Sequence, residues 1–139
     1  MAETRTIYLS EYDVKRLREL ISEAEYSTYR GSRYLTNLRA ELNKARVVPP
    51  QEVPGDVITM NSKVRLLDVE DDEEMVFTLV FPQDADIHDD KISIFAPIGT
   101  AVLGYRVGDS IEWEVPDGKR TLKVMEILYQ PESAGDFDL

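Results

Sequence analysis

The sequence predicts an α+β protein: a short antiparallel helical hairpin at the N-terminus, then a small antiparallel sheet around one short helix. Three observations predict it. Apolar residues recur twice at spacings of 3, 4 and 3 before residue 46. Beyond a proline-rich stretch the pattern turns β-rich. One segment, Ile92–Gln130, reads in order as strand, helical plug and hairpin.

The first helix is announced by Ser10-Glu11-Tyr12-Asp13, which resembles a capping box with Asp13 in place of the preferred Glu or Gln. Val14, Leu17, Ile21 and Ala24 follow as a coiled-coil seam, widened by Leu20. After the polar break Tyr26–Arg33, the residues Leu35, Leu38, Leu42 and Ala45 repeat the spacing. Two helices of about 14 residues, each ~20 Å long, form the expected hairpin. Helices this short are marginal alone, so they are expected to pack on each other and on the body.

Pro49, Pro50 and Pro54 end the second helix and make Val47–Pro54 a stiff linker. The expected division is 1–48 for the hairpin and 49–139 for the body. In the body, Val57, Ile58 and Met60 lead to a strand carrying Val64, Leu66, Leu67 and Val69. Glu70–Glu74 is the expected turn, and Met75–Phe81 the return strand. A polar loop, Gln83–Asp90, leads to Ile92 and Ile94. Pro97 suits the first turn of a helix carrying Ile98, Ala101, Val102 and Leu103, and Gly104 stops it. Ile111, Trp113 and Val115 alternate on one face. Pro116-Asp117-Gly118-Lys119 turns the chain into a last strand through Leu122, Val124 and Ile127.

Charge is distributed unevenly. Residues 1–46 hold nine basic and seven acidic side chains, whereas residues 47–139 hold seven basic and twenty acidic ones, within a total of −11. So acidic a body repels phosphate backbones and suits a basic protein surface, so no direct DNA binding is expected. The chain has no cysteine, no apolar run of membrane-spanning length and no apolar leader at Met1–Tyr8. A cytoplasmic location is expected.

Chemistry-bearing motifs fail on their details. Gly99 and Gly104 have the spacing of a phosphate-binding loop, but Tyr105 and Arg106 stand where lysine and a hydroxyl are required. Asp84–Asp90 begins like a calcium loop, yet lacks the glycine at its sixth position and the glutamate at its twelfth. His88 is the only histidine, which excludes a multi-histidine zinc site. No serine lies in a nucleophile elbow. Phe77, Phe81, Phe95, Tyr105 and Trp113 read as core. No catalytic residue, metal or cofactor is expected.

Ile92–Gln130 resembles the C-terminal domain of the bacterial Gre transcript-cleavage factors. The likeness is closer to the short Rnk family, the regulators of nucleoside diphosphate kinase. Pro54–Ser62, the tail Tyr129–Asp136 and Ala40-Glu41-Leu42 extend the match. The resemblance implies an FKBP-like twisted antiparallel sheet, without implying isomerase activity. It also implies a non-enzymatic transcription regulator that docks at the rim of the RNA polymerase secondary channel and competes with Gre-like factors. The loop matching the gripping contact is Phe95, Ala96, Pro97 and Ile98. Pro97→Ala or Ile98→Asp is therefore expected to weaken binding while leaving the body folded.

In Gre relatives, acids at the tip of a long coiled coil help hold the catalytic metal. The tip here, Tyr26–Arg33, holds no acid and instead carries Arg30 and Arg33, with Glu23 and Glu25 just before it. Those arginines are the expected partner contacts, to polymerase or to nucleic acid, and no stimulation of transcript cleavage is expected. Two routes to nucleoside diphosphate kinase stay open: an indirect one through transcription, and direct protein–protein contact.

Overall fold

The computed structural model describes residues 8–24, 39–40, 42–115 and 118–136, with the backbone alone at Ala24, Pro97 and 113–115. Chain order begins with β1 (Tyr8–Ser10), α1 (Glu11–Ala24), β2 (Arg46–Val48), β3 (Lys63–Asp68) and β4 (Glu73–Val80). It continues with β5 (Lys91–Ser93), α2 (Pro97–Val102), β6 (Ser110–Val115), β7 (Gly118–Tyr129) and α3 (Pro131–Ala134). The expected tip, Tyr26–Arg33, and Pro116-Asp117 lie outside the described residues, as do Leu35 and Leu38 of the second apolar repeat.

The helix α1 starts where the cap predicts. Ser10 Oγ accepts the Asp13 N–H at 3.0 Å, satisfying one of the N–H groups a helix start leaves open. Val14, Leu17 and Ile21 are buried on one stripe, and Leu20 packs beside them. Residues 39–40 and 42–44 are helical. Leu42 is buried in the same core, and Asn43 Oδ1 accepts the Arg18 guanidinium at 3.3 Å, which sets this segment against α1.

The linker expectation needs correction. Val47 and Val48 belong to β2, which pairs in parallel with β1 in the register Tyr8↔Arg46, Leu9↔Val47, Ser10↔Val48. Proline excludes helix but does not bar pairing in the residues before it, and burying Leu9 and Val48 favours the pairing. Pro50–Glu52 then forms a 3-10 turn, and Val53 is buried. The expected stiff spacer is thus folded onto the chain at its start.

The body is a five-stranded sheet in the order β5-β4-β3-β7-β6. It is antiparallel except for β4 and β5, which pair in parallel. Parallel neighbours need a crossover connection longer than a tight turn. Residues 81–90 supply it through two 3-10 turns, Pro82–Asp84 and Ile87–Asp89, within the loop expected only as polar. The acidic turn is also shorter than expected. Residues 69–72 turn the chain with Asp72 at positive φ, and Glu73 and Glu74 already pair with Asp68 and Leu67.

Val64 and Leu66 of β3, Phe77 and Leu79 of β4, and Leu122 and Val124 of β7 bury one sheet face. Ile94, Ile98, Val102 and Leu103 cover it, joined in one cluster by Leu9, Val14, Leu17, Ile21 and Leu42 from the N-terminal part. Alternating side chains on the strands and a 3.6-residue period on the helices produce this division. Val115 pairs with Gly118, so Gly118 and Lys119 of the expected turn already belong to β7.

Candidate functional site

The loop between β5 and α2 is built on backbone contacts. Ser93 Oγ accepts the Phe95 N–H at 3.0 Å, and the Ser93 carbonyl accepts the Ala96 N–H at 3.0 Å. Thr100 is buried, and its hydroxyl donates to the Ile94 carbonyl at 2.6 Å, closing the loop from the helix side. A Cβ on Gly99 would collide with the Ser93 carbonyl oxygen, so only glycine lets α2 approach β5 this closely.

This geometry places the four expected contact residues differently. Phe95 and Ile98 are each 7% exposed and belong to the core cluster. Ala96 is half-buried, and Pro97 opens α2. The expectation that Ile98→Asp leaves the body folded is therefore corrected: a carboxylate there would be buried without a partner. Arg30, Arg33 and Glu25 lie outside the described residues, while Glu23 is exposed on α1.

A second constellation joins α1 to the body, and sequence reasoning missed it. Asp13, 1% exposed, accepts the Met60 N–H through Oδ2 at 3.2 Å and pairs with Arg16 through Oδ1 at 2.6 Å. The Arg16 guanidinium lies 3.9 Å from the Tyr12 ring centre and 4.6 Å from that of Phe81, which follows β4. Thr59, beside Met60, donates to Glu132 of α3 at 2.7 Å and shares a 2.9 Å contact with the Ser62 hydroxyl. Burial, then the nearby Glu132 charge, push the Asp13 carboxyl up to about 6, against the pull of Arg16 and the Met60 N–H. The signal was Asp13 itself, whose side chain is one methylene shorter than the Glu a capping box prefers. It serves the body instead.

Two groups of acids in the body differ in how they are compensated. At the β3–β4 turn they are occupied internally. Arg120 binds Asp68 at 2.7 Å and also Asp71, and Glu70 accepts the Thr121 N–H at 2.9 Å. Burial pushes Asp68 up, but Arg120 and the N–H groups of Asp71 and Glu70 outweigh it and hold the carboxyl below its ordinary range. Arg65 bridges Glu74 at 2.7 Å and Glu126 at 3.1 Å. Much of the Glu70–Glu74 charge is thus spent within the sheet. Around Ile87, by contrast, no described cation pairs with Asp84, Asp86, Asp89 or Asp90.

Among the described residues, no group of three or more His, Cys, Asp or Glu side chains is placed to hold a metal ion. None of the described helices is long and apolar enough to cross a membrane. The described surface features are a glycine-dependent loop, an acidic turn and a helix root locked to the body.

Residues 53–129 match the family model "Transcription elongation factor, GreA/GreB, C-term", and residues 5–48 match "Rnk N-terminus". The regulator of nucleoside diphosphate kinase of Escherichia coli K12 is 44% identical over 133 residues, covering 95% of this chain and 96% of that protein. Transcription elongation factor GreA of Acetivibrio thermocellus is 36% identical over 118 residues, 85% of this chain and 69% of that one. Among solved structures, a prokaryotic transcription elongation factor GreA/GreB from Nitrosomonas europaea superposes with a TM-score of 0.74 at 41% identity. It covers 90% of this chain and 99% of that chain. With an Rnk N-terminus ahead of a GreA/GreB C-terminal body, and near-complete overlap with a regulator of nucleoside diphosphate kinase, this chain belongs to the Rnk family of Gre-like transcription factors.

Proposed function

We propose that this protein is a non-enzymatic transcription regulator that binds RNA polymerase at the secondary-channel rim and competes there with longer Gre-like factors. The observation carrying this reading is the joint one: a GreA/GreB C-terminal body attached to an Rnk N-terminus, whose first helix covers the 14 described residues Glu11–Ala24. At 1.5 Å per residue that helix spans ~20 Å. The division into 1–48 and 49–139, the coiled-coil seam and the FKBP-like body belong to the same proposal, supported by the boundaries of the two family matches.

Docking uses the β5–α2 loop, where Ala96 offers the half-buried side chain beside the buried Phe95 and Ile98. The tip sequence Tyr26–Arg33, acid-free and bearing Arg30 and Arg33, supports occupancy of the channel mouth without transcript cleavage.

The test is competition on purified core polymerase. This protein should displace a Gre factor, bind more weakly as salt rises, and leave backtracked transcripts uncleaved. Failure to bind at low salt rejects the docking. Cleavage stimulation that disappears in Glu23→Ala/Glu25→Ala rejects the non-enzymatic reading.

A second reading, direct regulation of nucleoside diphosphate kinase by protein–protein contact, is favoured by the name of the Escherichia coli relative. Binding to purified kinase without polymerase would establish it in place of the first.

A further inference from the structure

The turn Ile87–Asp89 projects one large apolar side chain into solvent. Ile87 is 81% exposed, whereas none of the other exposed large apolar residues among the described ones exceeds 46%. The turn is held firmly. Asp86 Oδ1 caps it by accepting the His88 N–H at 3.0 Å, and Asp86 and Lys91 exchange backbone hydrogen bonds at 3.0 and 2.9 Å. Asp90 closes it at positive φ, and its carbonyl accepts the Thr78 N–H at 2.8 Å, fastening the turn to β4. A side chain presented from a fixed backbone loses little freedom when it is buried by a partner.

Asp84, Asp86, Asp89 and Asp90 are all exposed around it. No described cation pairs with these four, while Arg65 and Arg120 bind Asp68, Asp71, Glu74 and Glu126 on the rest of the sheet. Four acids without a described cation partner thus surround the most exposed large apolar side chain among the described residues. The three residues of β5, about 10 Å of strand, connect this turn to the Phe95–Ile98 loop.

We propose that the Ile87 turn is an apolar knob with an acidic collar, and that it seats in an apolar pocket rimmed by lysine or arginine on a protein partner. The inference rests on the docking reading above and gives it a second contact: the β5–α2 loop and the Ile87 knob engage the same partner from the two ends of β5. The apolar group supplies the anchor, and the collar supplies steering and selects against acidic surfaces.

Binding of the full-length protein to core RNA polymerase tests it, comparing wild type with Ile87→Ser and with Asp84→Lys/Asp89→Lys. Both variants lie on the surface and should melt like wild type. Ile87→Ser should raise Kd about tenfold or more at every salt concentration. The lysine variant should weaken binding chiefly at low salt and flatten the salt dependence. Wild-type affinity in both variants overturns the knob while leaving the docking reading intact. A loss confined to the lysine variant also overturns it, because charge would then act without an anchor. If wild type itself fails to bind, the docking reading and the knob fall together.

Discussion

The carboxylate of Asp13, on the first turn of α1, accepts the backbone N–H of Met60 across forty-seven residues of sequence. Both residues are almost completely buried. The helix root is therefore tied to the body by a directional bond as well as by apolar packing. Asp13→Ala leaves the Met60 N–H and the Arg16 guanidinium without this acceptor. It should cost about 2–4 kcal/mol, read as a lower midpoint in urea unfolding. A change below about 1 kcal/mol would show that water replaces the carboxylate.

The same group makes stability depend on pH. Its folded-state pKa of about 6 lies above the ordinary 3.8, so the folded state holds the proton more tightly. Its contribution is complete below pH 3.8 and is lost as pH rises through 6, to a limit of ~3 kcal/mol. Asp13→Asn keeps an acceptor for Met60 and cannot titrate. Unfolding free energies measured from pH 4 to pH 7 should thus favour the Asn variant increasingly at the high end. A constant difference across that range would contradict the assignment.

Ile98 and Ala96 separate folding from docking. Ile98→Asp places a charge in the core and should abolish the cooperative melt. Phe95→Ala should cost about 3–5 kcal/mol for the cavity it leaves. Ala96→Lys, at a half-buried loop position, should keep the melt near wild type and reduce polymerase binding. Equal binding of wild type and Ala96→Lys would remove this loop from the interface.

Gly99→Ala adds only one methyl group, but toward the Ser93 carbonyl and within 3.1 Å of Leu79 Cδ1. The helix α2 must then lift from β5, at a cost of about 1–3 kcal/mol or more. Differential scanning calorimetry would register this as a fall in Tm of several degrees. An unchanged Tm would mean that α2 shifts freely.

Much of the fold was legible because its signals are local. The Ser10 cap, the Val14–Leu17–Ile21 stripe and the strands β3, β4 and β7 each depend on a few neighbouring residues, and each stands within two or three residues of where the sequence places it. The misreadings share a different cause. Val47 and Val48 looked like linker because their partner, β1, lies about forty residues earlier. Glu70, Asp71 and Glu74 read only as a turn, because Thr121, Arg120 and Arg65 reach them only across the folded sheet.

The candidate site divides the same way. Its proposed place beside Pro97 comes from the family resemblance, and which side chains there are buried was not legible in the sequence. Phe95 and Ile98 flank Ala96-Pro97 in sequence, yet both turn into the core because the loop is closed by Ser93 and Thr100. Asp13 was read as a helix cap, a role set within four residues, and its actual partner comes from the far end of the β2–β3 connection.

The sequence by itself determined the family, the excess of acid in the body and the absence of acid from Tyr26–Arg33. Periodicity, turn chemistry and composition all act over short stretches of chain. Only the tertiary structure decided which acids stay uncompensated, which loop residues are buried, and that the root of α1 is bound to the body at Met60. Charge pairing, desolvation and hydrogen bonding between distant segments depend on distances that exist only once the chain has closed on itself.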